Sequence, residues 1–120
     1  MSGPDDQVLS PILLAFQPSQ AWETGLRVEE IDFGSLRAGT TFEASRFEVA
    51  VGGFSPPEKH PEREVWMIAA GTGRLYYRGE VTDVRSGDCL TFDPNTEHSV
   101  HNTGVEPMRI FSVWWTERGT

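Results

Sequence analysis

Short runs of alternating or continuous apolar residues, separated by turn residues, make up most of the chain. Glycine, proline and β-branched residues recur throughout, and little helical periodicity survives their spacing. The pattern therefore predicts strands. They are PILLAF (11–16), LRVEEIDF (26–33), TTFEASRFEVAV (40–51), EVWMIAA (64–70), GRLYYR (73–78), VTDVR (81–85), DCLTF (88–92), EHSVHN (97–102) and MRIFSVWW (108–115). Many short strands with tight turns favour a β-barrel or a β-sandwich.

The segments between these strands carry turn signals. Gly79-Glu80 joins two of the strands as a two-residue loop with glycine first, which predicts a type II′ hairpin turn. A chain of 120 residues has the length of one ordinary domain, and no repeat or linker divides it. We predict a disordered N-terminus over residues 1–9 and a single β-barrel domain over residues 10–120.

The charge balance narrows the range of partners. The chain has 18 acidic and 10 basic residues, a formal net charge of −8, and no basic stripe that could neutralise a run of phosphates. We therefore expect no nucleic-acid or membrane partner. Cys89 is the single cysteine, the start MSGPDDQ lacks the basic region of a secretory signal, and the apolar runs are shorter than the roughly 20 residues that span a bilayer. These features predict a cytoplasmic protein.

Candidate chemistry lies in two segments of the second half. Glu58, His60 and Glu64 are evenly spaced before an apolar strand, and residues of one parity share a face of an extended chain. Glu64 can rejoin that face after the turn at Pro61. His98 begins a later short strand, which would lie beside the first segment if the two hairpins pair across a barrel.

The spacing of these residues resembles the cupin family, whose two motifs are G-x5-H-x-H-x3-4-E-x6-G and G-x5-P-x-G-x2-H-x3-N. The matching positions are Gly52, His60, Glu64 and Gly71 for the first motif and Gly87, His98 and Asn102 for the second. The resemblance covers roughly residues 40–115. It implies an all-β, single-domain cupin fold, a double-stranded β-helix or jelly-roll barrel, with a site in its interior.

Three positions depart from these motifs. Glu58 stands where the first histidine is expected, Asp93 at the proline and Asn95 at the second motif's glycine. Pro94 can restore the rigidity of the turn, since proline fixes its own φ. Asn95 can take the place of glycine at a tight corner because asparagine tolerates positive φ. We therefore expect the fold to survive these changes.

The resemblance implies one divalent metal ion on His60, Glu64 and His98. Two imidazoles and one carboxylate form a facial triad with open positions. Glu58 is either a fourth metal ligand or a catalytic general base. The donor set leaves Fe2+, Mn2+, Ni2+ and Zn2+ open, and a second carboxylate ligand would favour the first three over a tetrahedral structural zinc.

The neighbouring residues are interpreted from strand parity and composition. Trp66 shares the face of Glu64 and forms either a wall of the substrate pocket or simple core, whereas His101 has the opposite parity to His98 and should face outward. Cys89 lies in an apolar strand and is interpreted as an inert packing residue. Glu62 and Arg63 are assigned to a solvated face.

Three function classes follow from the resemblance. The first is a metal-dependent enzyme of redox-neutral small-molecule chemistry: an isomerase, cyclase, dehydratase or lyase. The second is an Fe(II)-dependent dioxygenase, for which two histidines and one carboxylate are the usual ligands. The third is a non-catalytic module that binds a small molecule. The resemblance to cupins of this size also implies a homodimer formed through sheet edges. Residues 11–16 and 26–33 can supply such an edge.

Overall fold

A computed structural model describes residues 13–21, 25–34 and 41–117, and these residues form nine antiparallel strands. The strands are β1 (Ala15–Ala21), β2 (Leu26–Asp32), β3 (Glu43–Val49), β4 (Arg63–Ala70), β5 (Thr72–Tyr77), β6 (Glu80–Arg85), β7 (Cys89–Phe92), β8 (His98–Asn102) and β9 (Met108–Trp115). The disorder predicted for residues 1–9 lies outside the described residues. Among the described residues, none forms a helix with the length and hydropathy needed to cross a membrane.

The strands divide into two sheets. The larger has the order β1-β2-β3-β9-β4-β7 and the smaller has the order β6-β5-β8. The segment 53–58 extends the smaller sheet beyond β8, through isolated bridges that join Phe54 to His101 and Glu58 to His98. Strands that are neighbours in one sheet, such as β4 and β9, are far apart in sequence. This is the jelly-roll arrangement of the cupin fold that the motifs imply.

Alternation along each strand turns one face of both sheets inward. In β9, Met108, Ile110 and Ser112 are buried while Arg109 is exposed. The buried apolar side chains of the two sheets make one continuous cluster between them: Leu26, Phe47, Val49, Trp66, Ile68, Leu75, Val84, Phe92, Val100, Met108 and Ile110. Burial of these side chains is the main favourable term for the fold, at roughly 25 cal/mol per Å² of apolar surface.

Most of the predicted strands are observed. The first strand is an exception, because it runs over Ala15–Ala21 instead of residues 11–16, of which 11–12 lie outside the described part. The loop between β5 and β6 is Arg78-Gly79, with φ of 56° and 75°, which makes it a type I′ turn instead of type II′ at Gly79-Glu80. Cys89 is exposed on the outward face of β7 and is not a packing residue.

The loop between β7 and β8 contains two of the motif departures. Asn95 adopts a φ of 59°, as predicted for a residue in place of glycine, and its N–H donates to the carbonyl of His60 at 2.7 Å. Asp93 accepts hydrogen bonds from the guanidinium groups of Arg63, at 2.9 Å, and Arg78. The N–H of Asp93 also donates to the Tyr77 hydroxyl at 2.9 Å. Two arginines and a tyrosine thus hold the corner where the family has proline.

Gly71 closes the turn after β4, where a side chain has no room. Its φ is +90°, and an added Cβ would lie 2.9 Å from the Cα of Met108. Gly79 has a similar φ of +75°, but its added Cβ would meet nothing within 4 Å. The two glycines therefore separate the cost of the backbone conformation from the cost of a clash.

We predict that Gly71→Ala lowers the free energy of unfolding by at least about 1 kcal/mol more than Gly79→Ala does. Alanine at either position must adopt an unfavourable left-handed backbone conformation. Only alanine at position 71 must also displace β9, which costs typically about 1–3 kcal/mol. Denaturant unfolding of the two variants and the wild type measures the difference. Equal losses in the two variants would mean that Met108 does not constrain this turn.

Candidate metal centre

Three structural elements bring the candidate ligands together. Glu64 is the second residue of β4 and points inward, and His98 opens β8 on the opposing sheet. Glu58 is the cross-strand partner of His98, since their N–H and C=O groups exchange two hydrogen bonds of 3.0 Å. His60 follows on the same segment, and Asn95 holds its backbone. Each side chain is therefore positioned by regular pairing or by a fixed turn.

The Oε1 atom of Glu64 is the meeting point of both imidazoles. His60 Nε2 and His98 Nε2 each lie 2.9 Å from it. On the other side of each ring, Nδ1 lies 3.0 Å from a backbone carbonyl, that of Glu62 for His60 and that of Thr96 for His98. A carbonyl oxygen can only accept, so each Nδ1 carries a proton and donates it. The His98 ring is also stacked on Phe92, with centroids 4.3 Å apart.

This pattern decides what the centre can bind. With Nδ1 protonated, a neutral imidazole presents a lone pair at Nε2, so three acceptor atoms converge where Glu64 Oε1 meets the two rings. Such a convergence is stable only with positive charge between the atoms, supplied by protons on Nε2 or by a metal ion. Neighbouring ligand atoms about 2.1 Å from one metal lie about 3 Å apart, close to the observed spacing. The donor set and its outer carbonyl partners therefore fit a divalent cation.

The second oxygen of Glu64 is fully occupied by the protein. Oε2 accepts a hydrogen bond of 2.8 Å from the indole N–H of Trp66 and another from the hydroxyl of Ser112. Trp66 and Ser112 are themselves 3% and 1% exposed, so these donors are locked in the core. They leave Oε1 as the Glu64 oxygen that faces the histidines.

Hydrogen bonding sets the charge state of this pair. Burial on its own would raise the pKa of Glu64, but the hydrogen bonds from His98, Ser112 and Trp66 outweigh it and lower the pKa to about 2. Burial likewise opposes the charged form of His98, but the Glu64 carboxylate and the Thr96 carbonyl raise its pKa above the ordinary value. Glu64 is thus an anion at any neutral pH, and His98 holds a proton more tightly than free imidazole does.

Glu58 behaves in the opposite way. Partial burial of its carboxyl, together with the nearby charge of Glu64, raises its pKa. One ligand atom each from Glu58, His60 and His98 can be chosen so that all three lie within 4.8 Å of one another. The same small space thus holds one carboxylate that stays ionised and another that takes up a proton more readily.

A cavity of about 270 Å³ opens beside these residues. Its polar lining includes Glu58, His60, Glu62, Glu64 and His98. Its apolar lining is Leu26, Val28, Phe47, Pro56, Trp66 and Trp114. The candidate ligands therefore border a space that a small organic molecule can enter.

The four predicted site residues converge, and Trp66 lies with them on the cavity wall. His101 is half-buried on the opposite face of β8, as its parity predicts. Glu62, which was assigned to a solvated face, is partly exposed but also lines the cavity, and its Oε1 lies 3.5 Å from His60 Nδ1. Its even spacing with the predicted ligands was the available signal.

The sequence did not identify Ser112 as a site residue, and it did not decide which of the adjacent Trp114 and Trp115 lines the cavity; the structure places Trp114 there. Ser112 and Trp114 both point inward on β9, where Trp114 pairs with Glu64 and Ser112 with Trp66. Their shared parity with the buried Ile110 was the only signal, and it does not specify which strand lies beside β4.

Comparison with known proteins identifies relatives of the same fold. The model of the Cupin_2 family, described as cupin domain, matches residues 45–114. The mannose-1-phosphate guanylyltransferase ManC of Salmonella typhimurium is 28% identical over 82 residues, which are 68% of this chain and 17% of that protein. This chain therefore spans only a small part of that relative's length.

Solved structures give the same result. A cupin 2 conserved barrel domain protein from Salinispora arenicola superposes with a TM-score of 0.69 at 28% identity, covering 78% of this chain and 77% of that one. A protein from Thermotoga maritima described as a predicted oxalate decarboxylase superposes with a TM-score of 0.74 at 22% identity, covering 88% of this chain and all of the other, 100%. At that identity the second likeness concerns the fold alone.

We predict that Ser112→Ala raises the pKa of Glu64 above about 2, since Oε2 loses one of its two donors. Because folding lowers this pKa from 4.5, the stability that Glu64 contributes is present above about pH 4.5 and is lost as the pH falls toward 2. In the variant this loss begins at the same pH, because the unfolded-state pKa is unchanged, but it is smaller and is complete at a higher pH. Carboxyl ¹³C NMR titration and denaturant unfolding across this range, on metal-free protein, measure both effects.

Ser45→Ala is the matched control, because Ser45 is the buried cross-strand neighbour of Ser112 and lines the same cavity. Among the described residues, no hydrogen bond joins Ser45 to Glu64. A Glu64 pKa that is the same in both variants would show that the Ser112 hydroxyl does not hold the carboxylate.

Proposed function

The chain belongs to the cupin family, and from this premise we propose that it is a metal-dependent enzyme that carries out redox-neutral proton transfer on a small molecule in its barrel cavity. Isomerisation, cyclisation, dehydration and lyase reactions belong to this class. The single observation that carries the proposal is the convergence of His60 Nε2 and His98 Nε2 on Glu64 Oε1, at a cavity that a second carboxyl group, that of Glu58, also borders. A carboxyl group beside candidate metal ligands can serve as an acid-base group.

In this proposal His60, Glu64 and His98 hold the metal. Their converging acceptor atoms support the assignment, as do the carbonyl partners that fix both imidazoles with Nε2 turned inward. A bound divalent ion would supply Lewis acidity toward a substrate carbonyl or hydroxyl oxygen. Fe2+, Mn2+, Ni2+ and Zn2+ all accept two imidazoles and one carboxylate, so the choice among them rests on measurement.

Glu58 is assigned to proton transfer. A general base must be able to reach the proton that it removes, and Glu58 borders the cavity. The residue is exposed enough to meet a substrate yet close to His60 and His98. In this assignment its carboxylate takes a proton from the substrate and returns it at another atom, with no net oxidation.

A second candidate function is an Fe(II)-dependent dioxygenase. The two-histidine, one-carboxylate donor set is the observation that favours it. Oxygen consumption by the Fe(II)-loaded protein with substrate separates the two reaction classes. Non-catalytic binding of a small molecule is the third outcome, in which ligand is released unchanged from the metal-loaded protein.

The names of the Salmonella and Thermotoga relatives suggest sugar-phosphate and oxalate chemistry, but the first likeness covers 17% of that protein and the second concerns the fold.

We predict that His60→Ala and His98→Ala each lower bound metal at least about tenfold, the scale expected even for damage to residues around the ligands. His101→Ala is the control, since His101 lies on the opposite face of the strand that carries His98. Elemental analysis after equilibration with one metal at fixed pH gives the stoichiometry. Full metal occupancy in the His60→Ala, His98→Ala double variant would exclude this centre.

Glu58→Gln is predicted to keep the bound metal and to lower turnover roughly 10²- to 10⁴-fold, the usual contribution of a positioned proton-transfer group. Before a substrate is known, carboxyl ¹³C NMR of the metal-free wild type is expected to show Glu58 titrating above its ordinary 4.5. Glu97→Gln is the control, because Glu97 is exposed and does not line the cavity.

Metal loss in Glu58→Gln, restored in Glu58→His, would instead make Glu58 a fourth ligand. Full metal content together with full turnover in Glu58→Gln would show that Glu58 is neither a metal ligand nor a general base.

A further inference from the structure

We propose that the cavity selects a small organic cation, an amine carried on an apolar or aromatic body, and discriminates against carboxylates and phosphates. This inference rests on the proposed function in that it concerns the ligand of the same cavity. It is based on the charges, the aromatic walls and the size of that cavity, and it can be tested without a known reaction.

The carboxyl groups that line the cavity give it negative charge. Three carboxyl groups border the cavity, those of Glu58, Glu62 and Glu64, and among the residues that the structure describes there, no lysine or arginine does. A bound dication, or protons on the two imidazoles when no metal is bound, would offset at most two of the three negative charges. An anionic ligand would therefore leave water for a space without a lysine or arginine partner among the described residues, whereas an ammonium group would find carboxylate partners.

Arg63, on the strand that carries Glu64, points away from the cavity. Arg63 precedes Glu64 and therefore points to the opposite face of β4. Its guanidinium donates to Glu117 at 2.8 Å, to Asp93 at 2.9 Å and to Thr91 at 3.1 Å. These contacts hold Arg63 at the outer surface, so it does not serve as an anion receptor for the cavity.

The carboxyl groups differ in depth. Glu64 is buried, while the Glu62 side chain is 33% exposed. Glu58 is exposed as well. An ammonium group can therefore pair with Glu58 and Glu62 in the outer part of the cavity without displacing Glu64 from the histidines. This arrangement separates the group that confers charge selectivity from the group assigned to the metal.

The walls suit the apolar body of such a ligand. Phe47, Trp66 and Trp114 present aromatic surface to the cavity, and aromatic rings attract cations as well as apolar groups. The volume of about 270 Å³ is just below the usual range of small-molecule pockets, about 300–1,000 Å³. A single ring with a short side chain matches this space better than a sugar nucleotide does.

The test compares three probes with one body and different charge: 2-phenylethylamine, 2-phenylethanol and 3-phenylpropanoate. Binding is measured by calorimetry and by tryptophan fluorescence at neutral pH, on metal-free and on Zn2+-loaded protein. We expect the amine to bind at least about tenfold more tightly than the acid, with the alcohol between them. Glu62→Gln is expected to reduce that ratio several-fold.

Glu80→Gln is the matched control, since Glu80 is exposed on β6 and does not line the cavity. It removes the same formal charge and so measures the contribution of the overall net charge of −8. An equal reduction of the ratio in both variants would overturn the proposal, as would tighter binding of the acid or no detectable binding of the amine.

Metal content measured on the same samples separates the two hypotheses. Stoichiometric metal with preferred binding of the acid refutes cation selectivity and leaves the metal-dependent function intact. Preferred binding of the amine in a protein that takes up no metal refutes the metal-dependent function and keeps the selectivity.

Discussion

The carboxylate of Glu64 is the contact on which the site and much of the barrel interior depend. Its two oxygens divide the surroundings: Oε1 faces the imidazoles of His60 and His98, and Oε2 is held by Trp66 and Ser112. These partners come from both sheets and from the segment before β4, so one buried charge requires all of them to be in place. A buried carboxylate is costly unless it is paired and hydrogen-bonded, which makes the arrangement specific. It also depends on register, because a slip of one residue between β4 and β9 would turn Ser112 outward.

Competition between protons and metal follows from the same contact. The carbonyl partners of both Nδ1 atoms leave Nε2 as the free position on each ring, and the Glu64 anion favours positive charge there. Without metal, that charge is a proton on His98, whose pKa the Glu64 carboxylate and the Thr96 carbonyl raise. A metal ion at this position must displace such protons, so binding is coupled to pH through the protein's own hydrogen bonds. The low pKa of Glu64 keeps its carboxylate ionised whichever cation is present.

Local patterns in the sequence were sufficient for most strands and for the candidate ligands. Apolar alternation located the strands, and motif spacing selected Glu58, His60, Glu64 and His98. Contacts between distant strands could not be read in this way: the hydroxyl of Ser112 reaches Glu64 only because β9 inserts between β3 and β4. The Arg78-Gly79 turn differs by one residue from the expected loop because Tyr77 pairs with Glu80. Cys89 was predicted to be buried because its neighbours in sequence are apolar, but its parity in β7 places it on the outward face.

The departures from the cupin motifs have unequal consequences. Asp93 and Asn95 replace proline and glycine, and the chain compensates locally, through Arg63 and Arg78 at one position and a positive φ at the other. Glu58 has no such compensation, because exchanging an imidazole for a carboxylate changes the charge of the cavity itself. The backbone pairing with His98 keeps position 58 beside the candidate metal ligands whatever its side chain. A negative, proton-accepting group therefore stands where the family has a neutral ligand, and with Glu62 it makes the outer cavity acidic. Glu58 is accordingly the position at which this cavity differs most from the family, since the fold and the other candidate ligands match the family's motifs.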